Sequence, residues 1–240
     1  MKAIWKIDTE VLENIRLIVN KNITSEIVEE RKLRNIKKQD IDLSKDNIWK
    51  ILIGCQITTQ QKSGKGSVTS KFMESKSDLL DYALCENKNA NFFEKELIKG
   101  SLRRNKNISE WLYQTKEELK NGEWNILINH LESLKKAHSI NEEREVVNYL
   151  RNGNYKGLGL KQSRNFLQWL GLTEYVVPID SRVCKALKNC GCTFVPGYSG
   201  LQDECTYEFF EDGLQIVSEK LGIMPCILDA CLFGSFDSEK

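Results

Sequence analysis

A primary amine set just behind a glycine-rich turn, and a carboxylate nineteen positions later, are the side chains of this 240-residue sequence best suited to chemistry. Lys161 follows Gly157-Leu158-Gly159, in the first turn of a helix that the apolar spacing of Phe166, Leu167 and Leu170 predicts from Leu160, with Gly171 as its stop. Cations are disfavoured at the positive end of a helix dipole, so stability alone would select an acid there. The same field favours the free amine, which is the nucleophilic form. A surface lysine that touches phosphate is the simpler reading of the same residue. Asp180 ends the apolar, proline-stiffened run Val176-Val177-Pro178-Ile179. It is either the N-cap of a helix over 181–188 or a functional carboxylate, and one residue can do both.

The elements around these two residues must position them. Gly157 and Gly159 allow backbone conformations and close approaches that a Cβ would forbid. Leu158 between them can pin the turn to a core. The pattern is helix, tight hairpin, helix, with first-turn amides pointing outward toward a phosphate or other anion. The rest of the chain also reads as helices. Asp8 caps a run over 9–20, and Asp46 one over 47–56. Ser77 opens a short run to Cys85, and a helix passes through Trp111 and Leu112. Another amphipathic run covers 124–136, and Ser139-Ile140-Asn141-Glu142 is a capping box for a helix that stops at Asn152-Gly153. Arg31 to Lys38 (RKLRNIKK) reads as a basic, solvated segment.

Composition narrows the function classes. Three prolines and 15 glycines are too few for a sandwich or barrel of many short strands. Lys and Arg number 35 against 34 Asp and Glu, so a nucleic-acid partner would depend on local patches rather than overall charge. No apolar stretch approaches the roughly 20 residues of a membrane span, and Met1-Lys2-Ala3-Ile4-Trp5 has no secretory core. A cytoplasmic protein is expected, nucleoid-associated if prokaryotic. The eight cysteines contain no CxxC pair, and Cys190-Gly191-Cys192 is too tight for a zinc knuckle. They read as buried or incidental free thiols. His130 and His138 fall on or beside a polar helix surface.

Gly157-x-Gly159-x-Lys161, followed by Asp180 within VPIDSRV, resembles the helix-hairpin-helix DNA glycosylase superfamily. In its bifunctional members the Lys and Asp at these places are the catalytic pair. Upstream, ILIGCQITT is similar to the segment in which the superfamily carries a glutamine that fills the gap left by an extruded base, and Gln56 falls on that position. Many relatives hold an iron–sulfur cluster with cysteines spaced C-x6-C-x2-C-x5-C. Cys184, Cys190, Cys192 and Cys205 follow other intervals, so no cluster is expected. The hairpin KGLGLKQSRNFL is closer to the compact prokaryotic and archaeal 8-oxoguanine DNA glycosylases. Their C-terminal helix supplies an acid or amide and, four residues on, an aromatic to the lesion pocket. Asp229 and Phe233 behind Pro225 match that spacing, although a helix-start acid and a core phenylalanine explain them almost equally well.

The resemblance implies an all-α fold of two helical lobes with a DNA-binding cleft between them. A central lobe would span 45–150, the helix-hairpin-helix 151–172, and a second lobe 1–44 with 173–240. It implies a bifunctional glycosylase and AP lyase that binds damaged duplex DNA as a monomer and removes 8-oxoguanine through a Lys161 Schiff base. Gln56, Lys62, Lys156, Gly157, Gly159 and Arg182 would contact DNA. A monovalent cation on the hairpin carbonyls would aid the grip, as in similar hairpins, and no other metal is expected. Two alternatives remain: a lyase of the same fold for oxidised pyrimidines or abasic sites, and a non-catalytic helix-hairpin-helix DNA-binding module.

Overall fold

Side-chain caps decide where most of the helices begin. In the computed structural model, which describes residues 4–61, 63–64, 66–136, 138–153 and 155–236, no strand forms among the described residues. Asp8 accepts from the Glu10 amide and opens α1 (Thr9–Asn22). Then come α2 (Glu26–Arg31), which runs on into a π-helical turn over Lys32–Ile36, and α3 (Lys45–Ile57). Short elements follow: α4 (Val68–Met73), a 3-10 turn over Asp78–Leu80 and α5 (Tyr82–Cys85). The longer α6 (Ala90–Lys99), α7 (Asn105–Glu118), α8 (Trp124–Ser133) and α9 (Ile140–Asn152) complete the first half. After the hairpin come α10 (Leu160–Trp169), α11 (Ser181–Asn189), α12 (Glu204–Leu221) and α13 (Pro225–Gly234). The Ser139/Glu142 capping box forms at α9, and Pro225 takes the first turn of α13.

Two caps differ from the sequence reading. Ser44, not Asp46, caps α3, and its hydroxyl accepts from the Asn47 amide. Asp46 sits inside the first turn, where the dipole favours an acid, and accepts from the Tyr82 amide at 3.1 Å. The run after Ser77 is broken in two, because Asp81 caps α5 separately.

Two apolar clusters hold the helices. One takes Ile48, Trp49, Leu52, Phe93, Leu112, Leu127, Val147 and Phe166. The other takes Ile15, Val28, Leu187, Tyr207, Leu214, Ile227 and Leu232. The chain crosses between them within a single peptide. Val176 packs in the first cluster and Val177 in the second, joined there by Ile179. An extended backbone sends successive side chains to opposite sides, which is how neighbouring valines serve two cores.

This crossing strap has no strand beside it, so its amides need other partners. Two buried carboxylates supply most of them, and the Tyr207 hydroxyl accepts from the Ile179 amide at 2.7 Å. Glu143 on α9 accepts from the amides of Glu174, Tyr175 and Val176 at 2.6–3.2 Å, from the Thr173 hydroxyl and from His138. Glu211 on α12 accepts from the Val177 amide at 2.9 Å and from the buried guanidinium of Arg164 at 2.7 Å. The sequence alone marks neither acid, and together they aim the strap that ends in Asp180.

The basic segment expected to be solvated turns inward. The Asn35 amide donates to the carbonyls of Gln168 and Thr173, and Arg34 donates to the Trp169 carbonyl. The last carbonyls of α10 have no partner within their own helix, and these donors satisfy them.

Candidate active site and nucleic-acid interface

The two motif segments interlock. Gln56 near the end of α3 is fully buried, and its Nε2 donates to the carbonyl of Lys156 at 2.8 Å. Gln162 in the first turn of α10 donates to the hydroxyls of Thr58 and Thr59 at 3.4 and 3.0 Å, and Asn165 donates to its Oε1. The tip of the hairpin explains its glycine: Gly157 has φ +87°, and a Cβ there would lie 2.8 Å from the Trp111 ring. Leu158 is buried in the first core, while Lys156 and Gly159 face solvent.

The gap-filling role expected of Gln56 would require it to leave this place, since its side chain is fully buried here. Gln56 braces the hairpin from beneath, since an amide at the end of a buried helix face meets the turn's carbonyl before it meets solvent. The exposed residue of this corner is Gln60, with φ +58°. Lys62 lies outside the described residues.

Lys161 stands at the seam of the two cores, half-buried, and no described residue forms a hydrogen bond or ion pair with its amine. Burial pushes its pKa below the ordinary lysine value. Asp180 and, less strongly, Cys55 and Asp229 oppose the shift, and Arg182 adds to it. Asp180 caps α11 as well, its Oδ1 accepting from the amides of Arg182 and Val183 at 2.8 and 3.0 Å. Capping and charge placement coincide in one carboxylate.

Asp229 and Phe233 lie one turn apart on α13. Asp229 is buried, and its Oδ2 accepts from Gln168 at 2.8 Å and from Arg31 at 3.5 Å. Burial raises its carboxyl pKa, with the Arg31 charge and the Gln168 hydrogen bond pulling the other way. Phe233 is half-buried beneath the guanidinium of Arg182, whose Cζ is 3.9 Å from the ring centroid. Arg182, expected to face phosphate, is instead paired with Asp180 at 2.9 Å, because the capping geometry carries both side chains to the same side.

Several residues escaped the sequence reading. Arg31 pairs with a residue 198 positions away, a relation that no spacing reveals. Gln168 does carry a signal, since it falls two turns after Lys161 on the same helix. The segment after α6, SLRRNKN over 101–107, is basic on sequence alone, and what the sequence did not show is that it lies beside the hairpin. Gln61 clasps the Arg103 backbone from both sides, at 2.9 and 3.3 Å, and Arg104 lies over Trp111 at 5.1 Å. Trp111 in turn backs Gly157, so Arg103 and Arg104 share a rim with the hairpin.

Among the described residues no cluster of three or more His, Cys, Asp or Glu side chains could hold a metal ion. Two hairpin carbonyls already accept hydrogen bonds, that of Lys156 from Gln56 and that of Tyr155 from Leu158. No helix among the described residues is long and apolar enough to cross a membrane.

No family model matches the chain, and no curated protein matches it. Solved structures do. The 8-oxoguanine DNA glycosylase of Methanocaldococcus jannaschii superposes with a TM-score of 0.69 at 16% identity, covering 95% of this chain and 94% of that one. The same archaeal glycosylase/lyase in complex with a 15mer DNA containing 8-oxoguanine gives 0.69 at 16% identity, covering 95% and 98%. The 8-oxoguanine DNA glycosylase of Thermotoga maritima gives 0.67 at 17% identity, covering 96% and 97%. Over nearly its whole length, the chain has the all-α fold of these archaeal and bacterial 8-oxoguanine DNA glycosylases.

Proposed function

We propose that the protein is a DNA glycosylase with AP-lyase activity that removes oxidised purine, 8-oxoguanine, from duplex DNA. The observation that carries this reading is the Lys161 amine. It is half-buried and without a hydrogen-bond or ion-pair partner among the described residues, and its pKa is lowered while Asp180 lies within electrostatic reach. A lysine that merely held phosphate would gain nothing from losing its charge. One that attacks carbon needs the free amine.

Phosphates beside the lesion bind at the hairpin, where the first amides of α10 point outward and Lys156 is exposed. The basic corner of Arg103 and Arg104 extends that grip along the rim, and affinity falls with salt according to the number of such contacts. The damaged nucleotide rotates out of the stack at a cost of a few kcal/mol, offset by contacts in the pocket. Its base lies against Phe233, and the Asp229 carboxyl accepts from a ring N–H.

Lys161 Nζ attacks C1′ of the deoxyribose as the free amine. The glycosidic C–N bond breaks, and its electron pair leaves with the base, which takes up a proton. Asp180 stabilises the positive charge that develops on the sugar. The amine-linked sugar loses a proton from nitrogen, the C1′–O4′ bond breaks with its electron pair passing to O4′, which takes up a proton, and a protonated imine is left. Loss of a C2′ proton then expels the 3′ phosphate and nicks the strand. Arginine cannot form this imine.

The test is borohydride trapping, which reduces the imine to a permanent cross-link, on duplexes carrying 8-oxoguanine, thymine glycol or an abasic site. Trapping is expected on 8-oxoguanine. Lys161→Gln is expected to lose it while still binding the duplex. Asp180→Asn is expected to slow excision without a matching loss of melting temperature. Normal trapping by Lys161→Gln would remove that residue from the reaction. Trapping on no duplex would leave a DNA-binding module, and trapping on the abasic site alone would leave a lyase.

A further inference from the structure

Arg182 makes three contacts that no sequence pattern foretold, and together they close the place a base would need. Its guanidinium carbon lies 3.9 Å from the centroid of the Phe233 ring. Its Nε and Nη2 reach Asp180 Oδ2 at 3.0 and 2.9 Å. Its Nη2 also approaches the Ser63 hydroxyl at 3.5 Å, which links α11 to the segment that follows α3. A guanidinium is flat and delocalised, and it stacks on an aromatic face much as a nucleobase does.

We propose that Arg182 fills the base slot of the free protein, so that an incoming base must displace it before stacking on Phe233. This makes Arg182 a specificity-determining residue, and the inference rests on the glycosylase reading above. The two stacks are mutually exclusive, because one face of Phe233 cannot hold both planes. Displacement has a second consequence. The hydrogen bonds that occupy Asp180 Oδ2 come from the Arg182 side chain, whereas Oδ1 stays tied to the Arg182 and Val183 backbone amides. When the guanidinium leaves, Oδ2 loses its counter-charge within electrostatic reach of Lys161 while the carboxyl group remains held by its cap. Base entry and release of the carboxylate therefore occur together.

The slot thus has a threshold. A base must gain more from the pocket than Arg182 gains from Phe233, Asp180 and Ser63. An oxidised purine brings an added ring N–H that a carboxylate such as Asp229 can accept, and undamaged guanine lacks it. The displaced guanidinium has open solvent and the nearby phosphates to move into, and its side chain is already 30% exposed.

Two variants separate the parts of this device. Arg182→Met keeps an apolar stem but removes the plane and the charge, and Arg182→Lys keeps the charge without the plane. Slot entry is read from 2-aminopurine placed at the target position of an otherwise undamaged duplex, a base whose fluorescence rises when it unstacks and which needs no chemistry. Wild-type protein is expected to give little rise. Arg182→Met is expected to give a clear one, and its preference for 8-oxoguanine over guanine in duplex binding should fall about tenfold, the equivalent of one lost stacking and pairing contact. Arg182→Lys is expected to lie with the Met variant in fluorescence. If both variants leave the fluorescence and the preference unchanged, or weaken binding to every duplex equally with a shallower salt slope, Arg182 is a phosphate contact and the inference fails. Circular dichroism melts of both variants show whether a failed signal comes from lost folding. In that event Arg182→Gln, a polar variant without the guanidinium, decides: a fluorescence rise from the folded variant would support the inference, and none would overturn it. Failure of borohydride trapping by the wild type would sink the glycosylase reading without altering the fluorescence result.

Discussion

Gln56 Nε2 and the Lys156 carbonyl stand 2.8 Å apart across a sequence separation of 100 residues. This bond joins the end of α3 to the hairpin that precedes Lys161. It gives Gln56 a supporting task that its motif did not suggest.

Gln56→Ala should therefore act through the hairpin. The change leaves the Lys156 carbonyl without its buried donor and opens a small void, a loss of about 1–3 kcal/mol in chemical denaturation. Duplex affinity should fall alongside. A variant with unchanged stability but poor base extrusion would restore the gap-filling role.

Lys161 is held where its charge is disfavoured, so its replacement should separate stability from activity. Lys161→Met is expected to abolish borohydride trapping and raise the unfolding free energy by about 1 kcal/mol, as substitutions at strained functional positions often do. Because its pKa lies below the ordinary lysine value, the wild-type trapping rate should stop rising with pH earlier than free lysine would. A profile that climbs to the ordinary lysine range would show that the amine is not tuned.

Glu211 gathers Arg164, Arg144 and the Val177 amide around one buried carboxylate. Removing one partner of a buried pair leaves the other uncompensated. Glu211→Ala should thus cost about 3–5 kcal/mol in denaturant melts. Excision should be slowed even where the protein stays folded, since the strap that aims Asp180 loses an anchor. Full activity in a folded variant would mean that Glu143, Tyr207 and Gln215 suffice to hold the strap.

His138 gives the fold a pH signature. Burial works against its charged form, but the 2.7 Å bond to Glu143 and the bond to the Lys136 carbonyl outweigh this and raise its pKa. A raised folded-state value means that the stabilisation is fully present below the ordinary histidine value of about 6.5 and is lost as pH rises through the higher folded value. The gap in melting temperature between wild type and His138→Gln should be widest in mild acid and shrink above neutrality. A gap that is constant with pH would show that only the neutral hydrogen bond matters.

Local chemistry made much of the molecule legible. The cap at Asp8, the Ser139/Glu142 box, the hairpin glycines, Pro225 and the Gly171 stop are decisions taken within a few residues, and each forms at its expected place. The basic run from Arg31 misled for the same reason. Its composition says solvent, but its surroundings are the bare carbonyls of α10 and a buried Asp229.

What the sequence determined by itself was the helical alphabet and the places of Lys161 and Asp180 within it, because periodicity, capping and glycine conformations are short-range matters. Only the tertiary structure decided what those side chains face. It set Gln56 under the hairpin, closed Arg182 over Phe233, and used Glu143 and Glu211 to hold a strap that has no strand beside it. These partners lie between 33 and 100 residues apart, and desolvation at the seam of two cores depends on the packing of both. No pattern along one chain contains that information.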